Sequence, residues 1–184
     1  QGTVGFTPAG PLQKGKTYYW RLDEFDGLKS YKGDVWSFSV IPAIAVTDPN
    51  LIGSWTFDEG AGAVAVDWSG HDNHGKIEGN PQWVDGYDGT ALQFDGSGDL
   101  VNCGNLPSLT ITSNITVSCW IKVAAFSKTW ETIIAKGDNS YRMSRGPGTG
   151  NSIHFGANGP SGGNLNALTT VTTNTWRHVA LVYD

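Results

Sequence analysis

Short apolar runs alternate along this chain with turns rich in Gly, Asp and Asn, and hydrophobic residues within the runs recur at every second position. In the clearest run, ITVSCWIKV, every second residue from Ile115 to Val123 is apolar, and the residues between them are Thr, Ser, Trp and Lys. Successive side chains of a strand point to opposite faces, so this pattern predicts a strand with one apolar face. We expect that face to fill the space between two sheets.

The stretch from Leu51 to Asn105 has the same character. SWTF and AVAVDWS look extended, whereas DEGAG and GHDNHG look like turns; PQWV and TALQF flank the turn DGYDG, and LVNC follows DGSGD. Further on, WETIIAK and SYRMSR predict a hairpin closed at residues 137–139, and NSIHFGA predicts the next strand. NGPSGGNLN is expected to be a long polar loop before the last strands, ALTTVTT and TWRHVALVYD. The whole predicts a β-meander.

Residues 1–41 form a separate unit in this reading. PLQKGKTYYWRLDEFDG and YKGDVWSFSV each predict a strand, and residues 42–50, with Pro42 and Pro49, are the predicted linker to a domain at 51–184. Leu12-x-x-Gly15-x-x-Tyr18 resembles the tyrosine corner of a fibronectin type III sandwich. The resemblance implies the C-terminal fragment of such a domain, packed on its neighbour as a hairpin or poorly ordered. The alternative is an N-terminal hairpin native to the second domain.

The amino-acid composition limits the kinds of molecule that this protein is expected to bind. The 184 residues are 39% hydrophobic and 11% aromatic, enough for a buried core, while only 16% are charged and the net charge is −5. The absence of a basic patch argues against nucleic acid as a partner. No apolar run approaches the roughly 18 residues of a membrane span. Low charge with abundant Gly and Trp is common in extracellular all-β modules, so we expect a secreted or cell-surface protein.

Several motifs resemble one family in their order along the chain. They are W-x-F-D-E-G at 55–60, D-x-S-G at 67–70, A-L-x-F-D-G-x-x-D-x-V at 91–101, T-V-S-x-W-I-K at 116–122 and W-R-H-V-A-L-V-Y-D at 176–184. This series is similar to laminin-G-like jelly rolls of the concanavalin A-like lectin/glucanase superfamily. The resemblance implies an all-β, two-sheet antiparallel jelly-roll sandwich over residues 51–184. In the family a further hairpin follows the last strand here, which implies a jelly roll that is incomplete at its C-terminal end.

Calcium is the metal that the resemblance favours, because related folds place an Asp-Asn pair or a rim Asp at the position of Asp138 and Asn139. Asp95 with Asp99, and Asp58 with Glu59, are candidates for separate structural calcium sites. Turn capping by these side chains is the alternative for each pair. His71 and His74, in a Gly-flanked turn, indicate a solvated turn rather than a transition-metal site.

Sugar binding requires an exposed aromatic ring beside polar groups, because sugar C–H faces stack on rings. Trp130, in the loop FSKTWE, and Trp120, opposite the apolar face of its strand, are the aromatic candidates. Asn158, Ser161, Asn164 and Asn166 are polar candidates in the predicted loop that follows NSIHFGA. A glycan or another extracellular protein is therefore the expected partner. Packing in the core or on the sheet surface is the alternative for both rings.

Catalytic motifs are not found. Glucanases of the superfamily carry E-x-D-x-E on one strand, and none of the four Glu here has that spacing; Asp23-Glu24-Phe25-Asp26 is the nearest sequence. No Ser–His–Asp set can be assembled by motif, and there is no phosphate-binding loop. The sequence therefore predicts a non-catalytic binding or adhesion module of a larger protein. A glycoside hydrolase or lyase of the same fold and a purely structural spacer are the alternatives.

The two cysteines, Cys103 and Cys119, leave two interpretations open: a disulfide between neighbouring strands, or two buried thiols. Related pentraxins pair cysteines at positions that match Ser118 and Ala180, so that bridge is absent here. The resemblance therefore lends no support to pairing Cys103 with Cys119.

Overall fold

A computed structural model describes residues 8, 10–137, 140–147, 150–157 and 163–184, and the strands within these residues pair antiparallel. The first nine described strands lie in the N-terminal unit and in the 51–105 stretch. They are β1 (Thr17–Arg21), β2 (Glu24–Phe25), β3 (Ser30–Tyr31), β4 (Val35–Ser39), β5 (Val64–Ala65), β6 (Gly75–Glu78), β7 (Gln82–Asp85), β8 (Thr90–Gln93) and β9 (Leu100–Asn102).

The remaining strands follow a short 3-10 turn at Pro107–Leu109. They are β10 (Ile115–Lys122), β11 (Thr132–Ala135), β12 (Tyr141–Arg145), β13 (Ser152–Ala157), β14 (Gly163–Thr170) and β15 (Trp176–Tyr183). Among the described residues, no helix is long and apolar enough to cross a membrane.

Two antiparallel sheets enclose the main core, which confirms the predicted sandwich. β10 pairs with β15 along its whole length, and β11–β14 form a four-stranded sheet in chain order. The β10 face that runs from Ile115 to Val123 packs against Met143, Ile153 and Phe155 of the four-stranded sheet. Ile115 is buried and the other members of that face are half-buried, while the polar residues between them are exposed. The period of two in the sequence therefore identified the core-facing side chains correctly.

Two smaller sheets are built from the 51–105 stretch. β5, β6 and β9 form a three-stranded sheet, and β7 and β8 form a hairpin closed by the turn Gly86–Gly89. The strand predicted at SWTF is wrong: among the described residues its only ladder contact is an isolated bridge between Trp55 and Asp67. Phe57 has φ +58, in the left-handed region, which breaks the extended backbone at this point. The ring nitrogen of Trp55 instead donates to the Asn73 carbonyl oxygen at 3.0 Å.

The predicted polar loop after β13 is shorter than the sequence indicated. β14 begins at Gly163, so Gly163–Asn166 are strand residues that pair with the end of β13. Asn164 lies opposite Gly156, and Asn166 lies opposite His154. Gly and Asn disfavour strands on their own, but here pairing with β13 overrides that local preference.

The N-terminal unit is a hairpin of β1 and β4, with the short pair β2–β3 near its tip. Tyr18 stacks on Phe38, and Trp20 lies 4.5 Å from Trp36 between ring centroids. Gln13 donates its backbone N–H to the Tyr18 hydroxyl oxygen at 2.7 Å, which is the contact that a tyrosine corner requires. The strand side chains stay largely exposed, Trp20 at 52% and Trp36 at 49%.

Candidate functional site

Trp130, Arg142, Ser144, His154 and Asn166 come together on the outer face of the four-stranded sheet, and we call this group the Trp130 site. The strands explain the grouping. Tyr141 and Met143 point into the core, so Arg142 and Ser144 point to the opposite face. Ser144 pairs with His154, and His154 pairs with Asn166, and directly paired residues share a face.

Trp130 lies on the loop before β11, against His154 and Arg142. Its ring contacts His154 edge to face, at 4.9 Å between centroids, and the guanidinium carbon of Arg142 is 5.0 Å from the ring centroid. The ring remains 41% exposed. The guanidinium lies over the ring and the imidazole meets it edge to face, so the exposed part of the ring offers a stacking surface with polar groups beside it.

The loop that carries Trp130 is held by Glu131. One carboxylate oxygen accepts hydrogen bonds from the backbone N–H of Ser127 at 3.0 Å, the hydroxyl of Ser127 at 2.8 Å and the backbone N–H of Lys128 at 3.0 Å. Burial acts to raise the pKa of Glu131, but these hydrogen bonds and the nearby positive charge of Arg145 outweigh it and lower the pKa. Trp130 has φ +65, an uncommon conformation for a bulky residue. The ring is therefore presented by an ordered but strained loop.

The floor of the site is polar and buried. His154 is 5% exposed, and its Nδ1 lies 3.0 Å from Asn166 Oδ1. Ser144 is fully buried, and its hydroxyl has no hydrogen-bond partner among the described residues. A buried hydroxyl without a partner costs stability, and functional sites are where proteins commonly tolerate that cost.

The predicted ligand-binding residues are only partly placed. Trp130 lies in the site. Asn164 occupies the register position beside it, opposite Gly156, although its side chain is outside the described part. Asn158 lies outside the described residues. Sequence reasoning missed Arg142, Ser144 and His154 as site residues. Their signal was the alternation of SYRMSR and NSIHFGA, which places Arg, Ser and His together on the face opposite Met and Phe.

The first calcium candidates, Asp138 and Asn139, lie outside the described residues. In the second pair, the Asp99 carboxylate accepts from the backbone N–H of Asn80 at 2.7 Å and of Asp95 at 3.0 Å, while Asp95 Oδ1 accepts from Ser97 N–H at 2.6 Å. These hydrogen bonds lower the pKa of Asp99. They are the contacts expected for turn capping.

In the third candidate calcium pair, Asp58 and Glu59 each accept a hydrogen bond from a different backbone N–H group. Asp58 accepts from the backbone N–H of Thr90 at 3.1 Å, and Glu59 accepts from that of Val66 at 2.9 Å. Over the described ranges, no three His, Cys, Asp or Glu residues are grouped so that they could hold a metal ion.

Trp120 lies on the outer face of the other sheet. Its ring stacks on Tyr87 of the β7–β8 turn, with centroids 3.6 Å apart and planes 9° apart, and it is 44% exposed. This contact docks the turn onto β10. One side of the Trp120 ring thus packs on the sheet surface, and the residue is partly exposed. Both the packing interpretation and the sugar-binding interpretation of Trp120 therefore remain open.

Both cysteines are thiols in this structure. Burial raises the pKa of Cys119 to about 11, and burial together with the negative charge of Asp67 raises the pKa of Cys103. Cys119 lies 4.0 Å from the Met143 sulfur in the core. The elevated pKa values leave little thiolate at neutral pH, which is typical of buried, unreactive cysteines.

Comparison with known proteins agrees with the sandwich. Residues 95–184 match a laminin G family model described as the concanavalin A-like lectin/glucanases superfamily. The matched part, which is just under half of the chain, contains both sheets of the main sandwich and the Trp130 site, and it is similar to that superfamily. The resemblance noted at 55–70 precedes the match and stays a prediction. Neither the search of curated proteins nor that of solved structures found a match.

Proposed function

We propose that this chain is a non-catalytic carbohydrate-binding module of a larger extracellular protein and that the Trp130 site holds the glycan. The observation that supports this is the half-exposed Trp130, with the Arg142 guanidinium over its ring at 5.0 Å and the His154 ring edge to face at 4.9 Å. A pyranose on the exposed part of the ring would lie near the Arg142 guanidinium and the His154 imidazole. Sugar sites combine such stacking with a few polar contacts that fix orientation.

The loop contacts also favour binding. Glu131 holds the Trp130 loop through Ser127 and Lys128 before any ligand arrives. A ring that is ordered in the free protein loses less conformational entropy on binding, which increases affinity. The strained φ of Trp130 is consistent with a conformation selected for presentation rather than for stability.

The decisive experiment is a glycan array with the whole chain, followed by calorimetric titration of the best ligand. We expect Trp130→Ala to abolish binding while the protein keeps its melting temperature. Trp68→Ala is the matched control, because Trp68 is 45% exposed at a distant turn. Loss of binding in Trp120→Ala alone would move the site to the other sheet, and retention of full affinity by Trp130→Ala would refute the assignment.

Catalysis is the alternative from the same superfamily. The Trp130 site contains no carboxylate among its described side chains, and paired carboxylates perform glycoside hydrolysis in most families. Incubating the chain with the array's best ligand and measuring reducing ends and unsaturated products tests this directly. Product formation that is lost in His154→Ala would favour a hydrolase or lyase. A chain that neither binds nor cleaves any glycan would favour the structural spacer.

Calcium at Asp138 and Asn139 remains part of the proposal, as does the fibronectin type III-like origin of residues 1–41. The corner contact from Gln13 to Tyr18 supports the second point. Such modules are usually strung together in surface proteins, so both proposals agree with an extracellular location. A melting curve with and without calcium tests the metal, because an ion that binds the folded chain raises the melting temperature.

A further inference from the structure

The turn that joins β7 to β8 presents an exposed aromatic ring that is held from two sides. Tyr87, at the tip of this turn, is 58% exposed and stacks on Trp120 with ring planes 9° apart. The base of the turn is held by Asp58, which accepts a hydrogen bond from the backbone N–H of Thr90 at 3.1 Å. One face of the Tyr87 ring rests on Trp120, so the opposite face is the one that a ligand can reach.

The same turn gathers three carboxylates. Asp85 ends β7 and Asp88 follows Tyr87, and both side chains are exposed, while Asp58 is hydrogen-bonded to the backbone of the turn. Among the described residues, none of these three carboxylates belongs to an ion pair. An aromatic face beside uncompensated negative charge attracts a ligand that carries positive charge.

The basic side chains of this surface belong to the strands on which Tyr87 packs. Lys122 lies two residues beyond Trp120 in β10 and therefore shares its face, and the His178 ring is 5.3 Å from the Trp120 ring between centroids. A ligand on the opposite face of Tyr87 has the Tyr87 ring between itself and Trp120. Asp88, in contrast, is the next residue to Tyr87 along the chain.

We propose that Tyr87 and the carboxylates of its turn bind an amino sugar with a free amine, with the pyranose on the ring and the ammonium group at Asp88. The C–H face of a pyranose stacks on an aromatic ring, and a cation near that ring gains further attraction. A protein partner fits less well, because a stable protein interface buries about 800 Å² on each side, far more than one exposed ring offers. This inference goes beyond the proposed function, since it concerns the other sheet and another ligand class.

The test compares two saccharides that differ in charge. Chitosan trisaccharide, with free amines, and the N-acetylated chitin trisaccharide are titrated into the wild type and into Trp130→Ala, which lacks the other sugar site. The pH is about 5.5, where carboxyl groups are ionised and amines carry a proton. In Trp130→Ala we expect the chitosan trisaccharide to bind about fivefold more tightly, the ratio that a cation–π contact at an exposed site contributes. The ratio should fall in about 1 M salt, which screens exposed charges.

Variants of the turn locate the effect. Tyr87→Ala should abolish binding of the chitosan trisaccharide, whereas Tyr87→Phe keeps the ring and should retain it. Asp88→Asn should reduce the preference for the free amine. Asp34→Asn removes the same charge from an exposed position in the N-terminal unit and should leave the preference intact. The comparison of Asp88→Asn with Asp34→Asn stands even if Tyr87→Ala loosens the turn.

Several results would overturn the inference. Equal affinity for the two trisaccharides would refute the preference for an amine, and full binding by Tyr87→Ala would refute the site. Chitosan binding that disappears in Trp130→Ala would leave the proposed function standing and refute this inference. A trilysine peptide that binds as tightly as the trisaccharide would replace the saccharide by a basic peptide. Chitosan binding at Tyr87 in a chain that binds no neutral glycan would support this inference and refute the proposed function alone.

Discussion

Asp67 is the side chain whose replacement should most sharply test the account of this fold. Its carboxylate is fully buried and accepts four hydrogen bonds: from the backbone N–H of Ser54 and of Ser69 at 2.9 Å each, from the hydroxyl of Ser69 at 2.7 Å, and from the backbone N–H of Asn73 at 3.0 Å. Those donors belong to two parts of the 51–105 stretch, the segment at Ser54 and the loop that follows Asp67. The Asp67 carboxylate therefore links these segments at the point where SWTF does not form a strand ladder.

The expected cost follows from counting groups left without partners. Asp67→Ala leaves the N–H groups of Ser54, Ser69 and Asn73 without their acceptor, and each such group costs about 1–3 kcal/mol when buried. Some relaxation and water entry will reduce the sum, so we expect a loss of about 4 kcal/mol. Asp67→Asn keeps one oxygen but turns an amide donor toward Asn73 N–H, so we expect about 2 kcal/mol.

Acid should remove the same stabilisation. Burial raises the pKa of Asp67, but the hydrogen bonds from Ser54, Ser69 and Asn73 outweigh it, and the net pKa is lowered. A carboxyl group whose pKa is lower in the folded than in the unfolded chain stabilises the fold above its unfolded pKa of about 3.9. That stabilisation is lost as pH falls through the lower, folded value. The wild type should therefore lose stability below about pH 4 more steeply than Asp67→Asn does.

Urea unfolding, followed by tryptophan fluorescence at pH 7 and at steps down to pH 3, measures both effects. The control is Asp72→Asn, because Asp72 is an exposed carboxylate in the same loop, 3.5 Å from His74. We expect that control to change the free energy of unfolding by less than about 0.5 kcal/mol. If Asp67→Asn unfolds at the same urea concentration as the control, the buried carboxylate does not hold this stretch together and the reasoning is wrong.

Three further changes test other parts of the structure. Ser144→Ala removes a buried hydroxyl without a described partner, so it should raise the free energy of unfolding by about 1 kcal/mol, and an unchanged or lower urea midpoint would contradict this. Gly75→Ala should cost about 1–3 kcal/mol, because the new Cβ would collide with Val101; a neutral result in the same assay would show that β6 and β9 separate easily. Cys119, with its pKa raised to about 11, should react with a thiol reagent only in denaturant, whereas rapid labelling of the folded chain would mean that the core opens.

The sequence by itself determined the sandwich and its core. Alternation from Ile115 to Val123 identified the core-facing side chains, because a two-residue period admits only two faces and one of them was apolar. The same rule located most strands from β7 onward. It failed at SWTF, where a positive φ at Phe57 and side-chain hydrogen bonds to Asp67 replaced the ladder. It also failed at Gly163–Asn166, where pairing with β13 outweighed residues that prefer loops.

Only the tertiary structure decided the site. The sequence singled out Trp130 as an aromatic residue in a polar loop, but nothing local indicates that Arg142, Ser144 and His154 lie beneath it. That grouping depends on the register between β12 and β13 and on the path of the loop that Glu131 holds. Alternation tells which residues share a face within one strand. Which faces meet, and which loop covers them, depends on pairing and packing between residues far apart in the chain.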